Sequence, residues 1–107
     1  MPTIKIESDE QLSAELSKAT GKVVLAFQKS DCEPCENDKA NLEAVAAGNP
    51  DATILTIDVE AHDAIAERYG AEATPTYLVG DAKKCSRRGR GCVEVPWAAD
   101  LGEALKK

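Results

Sequence analysis

Hydrophobic positions recur along this chain with two different periods, and the switches between them divide it into elements. "TIKIE", residues 3–7, has the two-residue period of a strand. From Ser8 the period lengthens: in "DEQLSAELSKA" Leu12 and Leu16 stand four apart on one helical face, with Ser8 as the capping side chain. Gly21 ends that helix. "KVVLAFQ" is apolar almost throughout, too short and too β-branched for a helix, and reads as a buried strand. A second helix runs from the Cys32 region through "NDKANLEAVAA" to a stop at Gly48-Asn49-Pro50. "ATILTIDV" is another buried strand. In the short helix "DAIAERYG", Ile65 and Tyr69 share a face and Gly70 is the stop. "TYLVG" is a strand, "DAKK" a turn, and a further strand is expected through "CSRRGRG". A last helix starts at Pro96 and continues through "WAADLGEALKK", with proline in its first turn, lysines in its last, and Trp97 packing it against the sheet.

The order βαβαβαββα predicts an α/β layer fold: parallel crossovers first, an antiparallel hairpin afterwards, giving a central mixed sheet of about five strands flanked by four helices. At 107 residues, with 43% hydrophobic and 30% charged, residues 1–107 are expected to form a single globular domain. The net charge of −6 disfavours nucleic acid as a partner. No apolar run reaches the roughly 18–20 residues of a membrane span. "MPTIKIESDEQ" lacks the apolar segment of a secretion signal, so the expected location is the cytoplasm. In that compartment four cysteines point to catalysis, redox sensing or metal binding more than to structural disulfides.

Two of those cysteines lie in "SDCEPCEND". A Cys-x-x-Cys pair is a redox couple, half a zinc site or two buried thiols. Within a helix, Cβ atoms three residues apart are about 5–6 Å from each other, whereas a disulfide wants roughly 3.5–4.5 Å. The bond closes most easily with Cys32 at the cap, just outside the helix, and Cys35 in the first turn. Pro34 favours this placement, since it needs no amide donor there and biases Glu33 away from helical angles. A thiolate on Cys32 then meets free amides and the positive end of the helix dipole, which lowers a cysteine pKa. Cys32, the exposed sulfur, is the attacking thiol, and the more buried Cys35 resolves the mixed disulfide. Zinc needs a second ligand pair, for which Cys85 and Cys92 are the candidates, although their gap is wider than the usual knuckle. No metal is expected.

With "VVLAF" before "CEPC" and "ATPTYLV" some forty residues later, the chain resembles the thioredoxin family over nearly its whole length. The resemblance implies the thioredoxin fold, and a cis Pro75 lying against Cys32, with Thr74 and Pro75 forming a substrate-docking edge by short β-strand addition. Counting without gaps from Pro75 places Gly91 at the family's active-site rim. It also implies a thiol–disulfide oxidoreductase that reduces protein disulfides without a bound cofactor. Its partners would be disulfide-containing substrate proteins and a thioredoxin reductase-like electron donor, and it would act as a monomer. A thioredoxin-fold binding module docking one partner through Thr74-Pro75, with incidental redox activity, is the alternative.

The departures from the family pattern are specific. Asp31 replaces the usual Trp before the first cysteine, and Glu33-Pro34 replaces Gly-Pro. Ala26 and Ile54 stand where the family has a buried Asp and its Lys partner, and Ala40 replaces the helix-kinking proline. Glu33, Glu36 and Asp38 suit a first helical turn in any protein. The other reading is that, together with Asp31, they tune: carboxylates near a thiolate disfavour it, which would make the couple more reducing and favour basic partners. Cys85 and Cys92 flank a basic run, "KKCSRRGRGC". On one extended strand they would be too far apart to bond; facing each other across a hairpin, they would form a second disulfide.

Overall fold

A computed structural model describes residues 3–85 and 91–106. Among the described residues, five strands and four helices follow in chain order. They are β1 (Ile4–Lys5), α1 (Asp9–Lys18), β2 (Lys22–Gln28), α2 (Glu33–Gly48), β3 (Thr53–Asp58), α3 (Asp63–Tyr69), β4 (Thr76–Asp81), β5 (Cys92–Val95), a 3-10 turn (Ala98–Asp100) and α4 (Leu101–Leu105). The strands form one sheet in the order β1-β3-β2-β4-β5. β1 and β2 run parallel to β3, whereas β4 is antiparallel to both β2 and β5. This is the mixed sheet that the order of elements predicts.

Local chemistry explains the boundaries. The Ser8 hydroxyl accepts from the Gln11 amide at 3.0 Å and starts α1. α3 stops at Gly70, whose φ of 73° lies in the left-handed region. The central strand β2 is buried from Val23 to Phe27. Its two faces feed separate cores. Val23, Leu25 and Phe27 pack with Leu12 of α1 and Ile65, Ala66 and Tyr69 of α3. Val24 and Ala26 pack with Leu42 and Ala46 of α2 and with Ala98 and Leu101 near the end of the chain. The helices thus divide two and two between the faces of the sheet.

Sequence expectations for the end of the chain are corrected here. Among the described residues a strand lies at Cys92–Val95; residues 86–90 of "CSRRGRG", through which the sequence predicts a strand, fall outside the described residues. Cys85 follows the turn after β4 rather than lying on a strand, so one extended strand does not carry both cysteines. The final helix starts later than Pro96: Trp97 is extended, and helical geometry begins with the 3-10 turn at Ala98. Gly91 is not at the rim of the active site. It adjoins the Gly80–Cys92 register pair, near the end of β4 remote from Pro75. Ungapped counting failed because ten residues, 82–91, separate β4 from β5, and the register instead sets Tyr77 opposite Val95. Pro96 and Trp97 therefore follow β5 at the end near Pro75.

Candidate active site

β2 emerges from the sheet at Gln28, and a short turn carries the chain to α2. Asp31 occupies that turn with φ of 59°. Most side chains disfavour this left-handed conformation, while Asp and Asn tolerate it. The acid before Cys32 therefore has a backbone reason to be there, apart from its charge.

Cys32 is the N-cap of α2, and Pro34 stands in the first turn. Cys32 and Cys35 form a disulfide, with Cα atoms 5.2 Å apart. The Cys35 amide donates to Cys32 Sγ at 3.2 Å. The Thr74 hydroxyl donates to the same sulfur at 3.3 Å. No donor of this kind is described at Cys35. The two sulfurs differ in their partners rather than in access, since Cys32 is 5% exposed and Cys35 6%. The sequence expectation of an exposed Cys32 beside a buried Cys35 is corrected: both are buried.

The Thr74-Pro75 peptide bond is cis. Thr74 and Pro75 are half-buried, and the Thr76 hydroxyl donates to the Ala73 carbonyl, fixing the entry to β4. Asp31, Glu33, Pro34 and Glu36 are all exposed around the cysteines. Ala26 and Ile54 are buried in one apolar cluster and neither carries a charge, so the strands supply no charged pair there.

A buried carboxylate is present nonetheless, on the helix. Asp38 is 5% exposed and shares the inward face of α2 with Cys35, Leu42 and Ala46. One of its oxygens accepts from Tyr77 Oη at 2.7 Å and from the Ala98 amide at 2.7 Å. The other accepts from Asn41 Nδ2 at 3.1 Å. Burial alone would raise this carboxyl's pKa. The donors from Ala98, Tyr77 and Asn41 outweigh it and hold the group below the usual carboxylate range. Burial and the facing carboxylate push the Tyr77 hydroxyl pKa up. Sequence reasoning placed Asp38 among solvated first-turn acids. The available signal was its spacing from Cys35, Leu42 and Ala46, which puts it on the apolar stripe.

Trp97 also departs from expectation. It does not pack α4 against the sheet but is 51% exposed. Its ring lines a shallow groove with Pro34, Asn37, Asp38 and Asp100 beside the active-site helix. Cys85 and Cys92 lie at the other end of β4, away from Cys32, so the four-cysteine zinc reading does not fit. Among the described residues no group of three or more His, Cys, Asp or Glu is placed to hold a metal.

A capped dithiol at the carboxyl end of β2, with a cis Pro-containing loop against it, defines a class of thiol–disulfide oxidoreductase. Residues 3–98 match the sequence pattern of the thioredoxin family. The thioredoxin of Chlamydia trachomatis is 32% identical over 85 residues, covering 78% of this chain and 81% of that protein. The thioredoxin of Chlamydia muridarum is 38% identical over 72 residues, 66% of this chain and 71% of its own. The crystal structure of a thioredoxin from Nicotiana alata superposes with a TM-score of 0.80 at 22% identity, covering 96% of this chain and 88% of that one. This chain belongs to the thioredoxin family. It is a thiol–disulfide oxidoreductase that reduces disulfides through dithiol exchange.

Proposed function

We propose that Cys32 attacks a disulfide of a substrate protein and that Cys35 resolves the mixed disulfide. The observation that carries this assignment is the pair of donors on Cys32 Sγ, the Cys35 amide and the Thr74 hydroxyl. Both favour negative charge on Cys32, and the N-terminus of α2 adds to them. The Cys32 thiolate attacks one sulfur of the substrate, and the other leaves as a thiolate that takes up a proton. Cys35 then attacks Cys32 Sγ, releases the second substrate thiol and closes the disulfide. The electron pair resides in the sulfur couple itself, so no bound cofactor is required, and an external thioredoxin reductase-like donor restores the dithiol. The reaction belongs to a reducing compartment such as the cytoplasm.

The substrate backbone docks on Thr74 and Pro75, and its side chains meet a rim of Asp31, Glu33, Glu36, Asp100 and the exposed Trp97. That rim supports a preference for substrates presenting Arg or Lys near the reactive disulfide. Asp38, held ionised one turn beyond Cys35, acts as a fixed negative charge and not as a proton acceptor. It disfavours thiolates at the site and makes the couple more reducing.

Reduction of insulin coupled to a reductase tests the reading. Turnover abolished in Cys32→Ser, and a trapped mixed disulfide in Cys35→Ser, are the expected results. A tight partner complex without turnover would instead establish the binding-module alternative.

A further inference from the structure

Cys85 and Cys92 play no part in that chemistry, yet the fold brings them together. Neither is in a disulfide, and both are buried, 1% and 5% exposed, in the same apolar cluster. Their side chains are within hydrogen-bonding reach of each other. The backbone around them is tightly drawn in. A Cβ on Gly91 would lie 2.4 Å from the Lys84 carbonyl oxygen, and Gly91 has φ of 86°. A Cβ on Gly80 would lie 2.0 Å from the Gly91 carbonyl oxygen. Glycines at 80 and 91 thus let the segment leaving β4 and the segment entering β5 close on each other, and the two thiols meet inside that closure. Tyr69 Oη donates to the Cys85 carbonyl at 3.3 Å and fixes it from the α3 side. From Thr76 to Gly80 the strand extends roughly 13 Å, so this pair is out of reach of the Cys32 sulfur.

We propose that Cys85 and Cys92 form a second dithiol–disulfide couple, separate from Cys32 and Cys35, which a low-molecular-weight disulfide oxidises. Cys92, on the edge strand and the less buried of the two, reacts first. Its thiol releases a proton, and the sulfur attacks one sulfur of RSSR. RS⁻ leaves and is protonated to RSH, with Cys92 now in a mixed disulfide with R. Cys85 then loses its proton, attacks Cys92 Sγ and expels the second RS⁻, which also becomes RSH. Two protein thiols are oxidised to one disulfide while RSSR is reduced to two thiols. Burial pushes the Cys85 thiol pKa up, and its contact with Cys92 adds to this. The exchange therefore waits on local opening of the hairpin and is much slower than at Cys32. Once closed, the bond is shielded by the same burial, and it ties the start of β5 to the end of β4.

Trypsin makes the test direct on the unaltered protein. Cleavage after Lys29 and Lys39 leaves Cys32 and Cys35 in one peptide, whereas cleavage after Lys84, Arg87, Arg88 and Arg90 separates Cys85 from Cys92. Native protein is incubated with oxidised glutathione, its remaining thiols are alkylated, and the digest is analysed by mass spectrometry. The expected result is residues 85–87 linked to residues 91–106, two hydrogen masses below their sum, appearing later than the disulfide within residues 30–39. The closed form should also melt several degrees higher. Cys85→Ala, checked for folding by circular dichroism, should instead accumulate glutathione on Cys92. The proposal is overturned if wild-type Cys92 retains glutathione without linking. It is equally overturned if both thiols remain free after prolonged incubation, long after residues 30–39 are fully oxidised. The peptide of residues 30–39 reports the primary couple independently, so failure at one site is distinguishable from failure at the other.

Discussion

The hydroxyl of Thr74 and the carboxylate of Asp31 are proposed to act on the same sulfur in opposite directions. Thr74 donates to Cys32 Sγ, and a donor to the charged form favours it. Thr74→Val keeps the shape and removes the donor. The expected result is a rise in the Cys32 pKa of up to about one unit, on the scale of one hydrogen bond of about 1 kcal/mol, read from the pH dependence of thiol alkylation. Asp31 requires a replacement that respects its positive φ. Asp31→Asn tolerates that backbone and removes only the charge, so the Cys32 pKa should fall while stability holds. Asp31→Val should cost about 1–2 kcal/mol in denaturant unfolding, because a β-branched residue resists the left-handed region. An unchanged pKa in Asp31→Asn would mean that the acid serves the turn alone.

At the level of elements, α2 carries both the chemistry and its anchor. Asp38→Ala would strand Tyr77 Oη and the Ala98 amide without an acceptor inside the protein. The expected loss is about 2–5 kcal/mol, measurable by urea unfolding. Asp38→Asn retains an acceptor oxygen and should cost far less. Because the folded-state pKa of Asp38 is depressed, its contribution is fully present above the unfolded value of about 3.9 and disappears as pH falls through the folded value. Wild type should therefore lose stability below about pH 4 more steeply than Asp38→Asn. The sequence made much of this element legible, including the cap at Cys32, Pro34 in the first turn and the end near Gly48. It obscured Asp38, because an acid close to a helix start is well explained by the dipole alone. The stripe running from Cys35 through Leu42 to Ala46 becomes informative only once burial is known. The bounds of β5 are hard to read from the sequence for a different reason. A strand of four residues with Glu94 in its middle carries little periodic signal, and the glycines and arginines before it resemble a loop as readily as an edge strand.

For the whole molecule, the two-sided sheet separates tasks. The face holding α2 and α4 supports the dithiol and the Trp97 rim, while the face holding α1 and α3 contains the second cysteine pair. Trp97→Ala should raise KM for disulfide proteins about 5–30-fold, the loss of one aromatic anchor of about 1–2 kcal/mol. Reaction with a small disulfide reagent should stay unchanged. If both fall together, Trp97 supports the site's structure and does not contact substrate. The order of the layers was readable from the alternation of strand and helix patterns. The rim was not, since its residues depend on how many positions the β4–β5 connection consumes, and that length is set by pairing between strands.

The hydrogen bond from Ala98 to Asp38 joins positions 60 residues apart. A chain being synthesised from its N-terminus has already made the cysteine pair and most of α2 when Ala98 is still to come. Until it arrives, the inward-facing carboxylate lacks one of its donors, and burying it carries a penalty. The helix that bears the reactive sulfurs consequently reaches its final seat only after the segment following β5 has docked, so an unfinished chain holds its dithiol on a loosened platform.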